Sequence, residues 1–164
     1  MEYCIEKASR ADLAEILTLQ KKAFGQVAAL LNCPGLPALQ QTEREIGEEF
    51  EKSVILKCSC KDGRIVGSVR AFVDEENACH IGKLIVDPDF QGKGIGRALM
   101  GEIEKHFPAC RRYRLFTSEE TPWTSQLYRT LGYRETGRRP MGGTLMILMD
   151  KENPDTSLFS RIDL

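Results

Sequence analysis

Residues His80 to Phe107 read HIGKLIVDPDFQGKGIGRALMGEIEKHF, and this stretch decides the fold. An apolar run from Ile81 to Val86 has the character of a strand and stops at Asp87-Pro88. A glycine-rich turn follows, Gln91-Gly92-Lys93-Gly94-Ile95-Gly96, and opens directly into an amphipathic helix. Glycines let the backbone turn tightly and bring N–H groups up to a ligand without Cβ collisions. The helix start adds donors without intrahelical acceptors and the positive end of the macrodipole. Lys93 and Arg97 put mobile positive charge at the same place. Strand, glycine turn and helix N-terminus together predict a phosphate or pyrophosphate site.

The spacing excludes two common nucleotide motifs. A P-loop needs G-x-x-x-x-G-K-[ST], which no Gly-Lys pair here satisfies. A dinucleotide fingerprint G-x-G-x-x-G, begun at Gly92 or Gly94, meets Arg97 or Leu99 where its last glycine belongs. The pattern that fits is Q/R-x-x-G-x-G/A, carried by Gln91, Gly94 and Gly96. This resembles the acetyl-CoA pyrophosphate loop of the GNAT N-acetyltransferase superfamily. A second stretch, Leu127-Tyr128-Arg129-Thr130-Leu131-Gly132-Tyr133, resembles that family's LYxxLGF/Y element.

Working outward, Tyr3, Ile5 and Lys7 begin a strand, and Ser9 is a helix N-cap. Leu13, Ile16, Leu17 and Phe24 line one helical face. Residues 25–38, with Pro34, Gly35 and Pro37, read as an irregular segment. A second helix is predicted from about Leu39 to Lys52, turning Ile46 and Phe50 inward and Glu43, Glu45, Glu48 and Glu49 outward. Strands over 54–60 and 65–73 flank Asp62-Gly63, a hairpin signal. Glu75-Glu76-Asn77 turns the chain into a strand from Cys79 to Val86. After the phosphate-loop helix come a strand at 113–117, a helix at about 123–131 closed by Gly132, and strands at 133–137 and 144–149.

The order β-α-α-β-β-β-α-β-α-β-β is similar to the GNAT fold. It implies an α/β (mixed α+β) domain with a mostly antiparallel sheet of six or seven strands, one splayed parallel pair and about four helices. The expected domain is residues 1–151, with 152–164 as a C-terminal tail. Hydrophobic content of 41% and charged content of 29% are ordinary for a globular chain, and the net charge of -1 gives no reason to expect nucleic-acid binding. MEYCIEKASRADL lacks the apolar core of a secretion signal and no run reaches membrane-spanning length, so no membrane association and a cytoplasmic location are expected. Cys4, Cys33, Cys58, Cys60, Cys79 and Cys110 form no C-x-x-C pair, and only His80 and His106 are available beside them. No metal site is expected, and a redox or metal protein is the weakest reading.

The resemblance implies acetyl-CoA, or another acyl-CoA, as co-substrate and an amine as acceptor. Backbone N–H groups from Gln91, Gly92, Lys93, Gly94, Ile95, Gly96 and Arg97 would hold the pyrophosphate. Leu84, Ile85 and Val86 would pair with the pantetheine arm, and the Val86 N–H would face the thioester oxygen. Tyr128 matches the tyrosine that protonates the departing thiolate. Many relatives carry a glutamate base on the central strand, six residues before the valine; here that position is His80. An asparagine before the Leu-Tyr element is missing from Glu120-Thr121-Pro122-Trp123-Thr124, which leaves Thr121 or Thr124 to bond the arm. Trp123 is either core or acceptor-pocket lining.

The expected activity is direct acetyl transfer to a primary amine in a ternary complex, with no cysteine placed as a nucleophile. The acidic 39–52 helix suits a small cationic acceptor. The alternatives are a peptide or protein N-terminal acetyltransferase and a non-catalytic acyl-CoA sensor. A homodimer through the late strands is what the resemblance allows.

Overall fold

The computed structural model describes residues 2–32, 35–141 and 143–154. Cys33 and most of the expected tail lie outside the described residues. The chain opens with strand β1 (Tyr3–Lys7) and a short turn at Arg10–Asp12, where Ser9 and Asp12 cap each other reciprocally. Helix α1 (Leu13–Leu31) follows and buries Leu13, Ile16, Leu17, Leu19 and Ala23 at helical spacing. The segment expected to be irregular over 25–38 is helical as far as Leu31. One interior glycine costs a helix only about 1 kcal/mol, and Ala28 is buried beyond it. The helix stops at Asn32, which adopts φ +50° and donates its N–H to the Ala28 and Ala29 carbonyls.

The single helix expected over 39–52 is two: α2 (Pro37–Gln40) and α3 (Glu43–Lys52). The cause is a capping box. Thr42 Oγ1 accepts from the Glu45 N–H at 3.2 Å, and the Glu45 carboxylate accepts from the Thr42 N–H at 3.1 Å. With Thr42 extended as N-cap, the helix must begin anew there. Five α-helices are therefore described rather than about four.

Strands β2 (Val54–Cys60) and β3 (Ile65–Val73) pair antiparallel across the Asp62-Gly63 turn, with Gly63 at φ +89°. The next turn, with Asn77 at φ +62°, leads into β4 (Ala78–Val86). Then come α4 (Ile95–Lys105), β5 (Arg112–Ser118), α5 (Pro122–Thr130), β6 (Arg134–Met141) and β7 (Thr144–Glu152). The last two strands are longer than their apolar residues alone indicated. Their register, Arg134↔Asp150 through Met141↔Thr144, carries charged positions into the ladder.

The strands form a seven-stranded mixed sheet in the order β1-β2-β3-β4-β5-β7-β6. β1 with β2, β2 with β3, β5 with β7 and β6 with β7 run antiparallel, whereas β4 with β5 is parallel, reached through α4 as a crossover. That parallel ladder is short: Ala78↔Arg112, Cys79↔Tyr113 and His80↔Arg114. The rest of β4, including Leu84–Val86, lies past its end.

The chain divides into two compact units, one of residues up to Ala71 together with Lys83–Ile103, the other Phe72–Gly82 together with the residues from Glu104. In the first, α1 and α3 bury Ile16, Leu17 and Ile46 against Ile55, Ile65 and Ile85 of the strands. Full burial of each such side chain contributes about 2 kcal/mol. Gly67 of β3 lets α4 approach closely, because a Cβ there would stand 3.0 Å from both Ile95 Cγ2 and Leu99 Cδ1. In the second unit Tyr113, Leu115, Tyr133, Ile147 and Met149 are buried. Tyr133 donates its hydroxyl to the Glu104 carboxylate at 2.9 Å, and Lys151 reaches the same group at 2.8 Å.

Candidate active site

The first unit carries the glycine loop. Gly92 and Gly94 sit at φ +76° and +85°, and nothing lies within 4 Å of where a Cβ would project. These glycines are required by backbone conformation, not by lack of room. The first α-helical bond of α4 runs from the Ala98 N–H to the Gly94 carbonyl at 3.0 Å. The N–H groups of Ile95 and Gly96 thus precede every acceptor the helix can offer. Arg97 is exposed on the first turn, and Lys93 sets its ammonium 5.3 Å from the Phe90 ring centre, with the Arg64 guanidinium 5.1 Å from the same centre.

Gln91 braces this loop. Its amide N–H donates to the Val86 carbonyl at 3.2 Å and to Gln26 Oε1 at 3.4 Å. The strand end is anchored as well: the Asp87 N–H donates to the Val66 carbonyl at 2.8 Å, and Lys22 Nζ lies 3.2 Å from both oxygens of the Asp87 carboxylate. Burial pushes that carboxyl upward, but the Asp89 N–H and Lys22 outweigh it and hold it below the ordinary carboxylate range. Leu84 and Val86 are half-buried and Ile85 is buried.

Just before them, Lys83 takes φ +48°, a left-handed conformation unusual for a lysine in a strand. Its Nζ lies 3.3 Å from Glu49 Oε1. Glu49 also accepts from Arg70 at 2.9 Å and from Gln41 at 2.6 Å. Arg70 is 4% exposed and bonds Gln41 Oε1 at 3.0 Å and Gln20 Oε1, while its Nε is buried without an acceptor. Burial opposes ionisation of Glu49, yet Arg70 and Lys83 hold its carboxyl low. Of the acidic residues expected to face outward, Glu43, Glu45 and Glu48 are exposed, with Glu45 in the capping box and Glu48 beside Arg44 at 3.3 Å. Half-buried Glu49 is instead turned onto Arg70 and Lys83.

The second unit carries the remaining candidates. Tyr128 is buried on α5, edge-on to the Tyr133 ring at 6.0 Å. Burial pushes its hydroxyl up to about 12, so the phenol stays protonated at neutral pH. His80 makes a 2.6 Å bond through Nε2 to the Asp74 carboxylate and stacks on Phe72 at 5.0 Å. The bond from His80, with the Ala78 and Glu76 N–H groups, lowers the Asp74 carboxyl to about 2.

Thr124 joins a hydroxyl cluster. It bonds Thr117 Oγ1, lies 3.0 Å from Thr121 Oγ1 and donates to the Thr121 carbonyl at 2.8 Å. Trp123 is 55% exposed and so is not core. Burial drives the Cys58 thiol up to about 11 and raises Cys79 and Cys110, which keeps these thiols in the poorly nucleophilic protonated form. No group of three metal-ligating side chains occurs among the described residues, and no helix among them is long and apolar enough to cross a membrane.

The sequence reading missed Asp74, Lys83 and Arg70, and it placed Glu49 on the outward acidic face without its partners. Two signals were available. Asp74 flanks the Glu75-Glu76-Asn77 turn opposite His80, and Arg70 is a lone cation inside the apolar run IVGSVRAFV, which demands a counter-charge.

Residues 54–135 match the Acetyltransferase (GNAT) domain family. The chain belongs to that family. It is similar to the UPF0157 protein YqkA of Bacillus subtilis (strain 168), 27% identical over 121 residues, which is 74% of this chain and 34% of that protein. The chain thus spans about a third of the length of that curated relative. Among solved structures it shares its fold with the PaiA N-acetyltransferase from Thermoplasma acidophilum, in complex with coenzyme A (TM-score 0.78, 17% identity, 93% of this chain and 99% of that one). It also shares it with a GNAT superfamily phosphinothricin acetyltransferase from Sinorhizobium meliloti, in complex with AcCoA (TM-score 0.76, 19% identity, 95% and 98%).

Proposed function

We propose that this chain is an acetyl-CoA-dependent N-acetyltransferase that acts on a small primary amine by direct transfer. The observation that carries the reading is the pair of left-handed glycines, Gly92 and Gly94, set between the end of β4 and the start of α4. Left-handed glycines let a loop turn its main-chain N–H groups toward a ligand, and the helix N-terminus adds its positive field. A pyrophosphate fits that arrangement. Lys93 and Arg97 supply the balancing charge, Gln91 holds the loop to Val86, and Leu84–Val86 offer extended backbone to an amide-bearing arm.

The residues then divide the chemistry. The amine nitrogen forms its bond to the acyl carbon, the thioester oxygen becomes an oxyanion, and the C–S bond breaks. The Val86 N–H donates to that oxyanion, an interaction whose loss is on the order of 3 kcal/mol in the barrier. Tyr128 gives its proton to the leaving thiolate; a phenol kept protonated by burial is suited to this. His80 accepts the proton of the acceptor ammonium through Nδ1, while Asp74, bonded at Nε2, orients the ring. The acceptor carries positive charge in its resting state, which the exposed carboxylates Glu43, Glu45 and Glu48 of α3 would attract.

The test is free-thiol release from acetyl-CoA across a panel of small amines and short peptides, beside calorimetric titration with CoA. Turnover on small amines is expected. Turnover on peptides alone would move the acceptor class, CoA binding without any turnover would favour a sensor, and absence of CoA binding would end the reading.

A further inference from the structure

The strand segment assigned to the acyl arm begins beside a strained residue. Lys83 holds φ +48° without being glycine, and such a conformation persists where the surroundings over-determine it. Those surroundings are on one side of β4. Glu49 grips the Lys83 ammonium at 3.3 Å, and Glu49 is in turn fixed by Arg70 from β3 and by Gln41 between α2 and α3. Gln20 of α1 closes the cluster by donating to Gln41 Oε1 at 2.9 Å and accepting from Arg70.

We propose that Glu49, set by Arg70 and Gln41, is a positioning residue for acyl transfer: through Lys83 it fixes the left-handed turn that aims Leu84–Val86 at the acyl-CoA arm. This rests on the acyl-CoA reading above. An ordinary ion pair on a surface leaves both side chains free to move and contributes little. Here the carboxylate has three donors from three places in the chain, and one of them, Arg70, is buried with its Nε unmatched. A core needing only volume at position 70 would be served as well by an apolar side chain. What the buried guanidinium provides instead is a carboxylate that does not move, and hence a lysine that does not move.

The experiment compares Lys83→Met, Lys83→Arg, Lys83→Gly and Glu49→Gln with the wild type, using Glu48→Gln as the control on the same helix. CoA affinity, kcat, KM for acetyl-CoA and thermal stability are read together. Lys83→Met is expected to raise KM for acetyl-CoA and lower kcat by about tenfold each, because a misaimed donor weakens both binding and the transition state. Lys83→Arg should restore both to within about twofold, and Glu49→Gln combined with Lys83→Met should add little to either alone, as coupled residues do. Lys83→Gly keeps the backbone angle without strain, so it separates loss of the link from loss of fold and should show the same rise in KM. Wild-type kinetics in Lys83→Met and Lys83→Gly would overturn the proposal while leaving the acyl-CoA reading intact. A wild type that binds no CoA would overturn both.

Discussion

Replacing Gly67 by alanine tests whether the closeness of α4 to the sheet matters for the loop that α4 carries. The new Cβ would stand 3.0 Å from Ile95 Cγ2, 3.0 Å from Leu99 Cδ1 and 3.3 Å from the Ile85 carbonyl oxygen. Carbon–carbon contacts settle at about 3.5–4.0 Å, so the helix and strand must part by roughly half an ångström or more. Overpacking of this kind costs about 1–3 kcal/mol. Against it stands a gain of about 0.5–1 kcal/mol, because alanine restricts the unfolded chain more than glycine does. The net loss is about 1–2 kcal/mol, or a fall in Tm of about 3–6 °C for a chain of this size.

The displaced residue, Ile95, is the first of α4, so CoA affinity should fall with stability, by roughly threefold to tenfold. Gly101→Ala is the matched control: it lies on the same helix with nothing within 4 Å of its Cβ position, and should stabilise by about 0.5–1 kcal/mol. Urea denaturation and calorimetric titration with CoA measure both quantities. A Gly67→Ala protein as stable as the wild type, with unchanged CoA affinity, would refute the argument that this contact sets the loop.

Three further outcomes are expected. Tyr128→Phe should lower kcat on the order of a hundredfold at unchanged KM for acetyl-CoA, measured by thiol release; equal turnover would remove Tyr128 from the mechanism. Asp74 is held at about 2, below its unfolded value near 3.9, so its contribution to stability is complete above about pH 4 and is lost as pH falls through about 2. Acid denaturation of Asp74→Asn should therefore lack that limb, and identical acid limbs would mean the bond to His80 is not made in solution. Arg70→Ala strips Glu49, Gln41 and Gln20 of a shared donor and should destabilise by about 3 kcal/mol, read by urea denaturation. A loss under about 1 kcal/mol would show that burying the guanidinium nearly cancels its bonds.

How much of this was readable in the chain depends on the range of the interactions. The Asp62-Gly63 hairpin, the strand ending at Val86 and the helix opening after Gly94 are encoded within a few residues, and the described structure follows them. The length of α1 was not legible because one glycine costs a helix too little to decide where it ends. The break before α3 was legible in Thr42-x-x-Glu45 but was hidden by the continuous helical pattern around it. At the site, the glycine loop announced itself, whereas the partners of His80, Lys83 and Glu49 did not. Asp74 is six positions from His80, and Arg70 is 21 from Glu49 and 50 from Gln20. Such pairings exist only once the strands have fixed their registers; the chain marks Arg70 as needing a counter-charge but does not say which residue supplies it.

The Gln91 amide, which donates to the Val86 carbonyl, explains a tolerance in the loop's own pattern. The first position of Q/R-x-x-G-x-G/A admits two side chains that share neither size nor charge. What glutamine and arginine have in common is a planar N–H long enough to return to a main-chain oxygen five residues earlier. The position thus selects for reach and for the direction of a proton, and a glutamate there would oppose oxygen to oxygen. In this chain the residue that heads the signature is a fastener between strand and turn, and the glycines behind it are free to face outward.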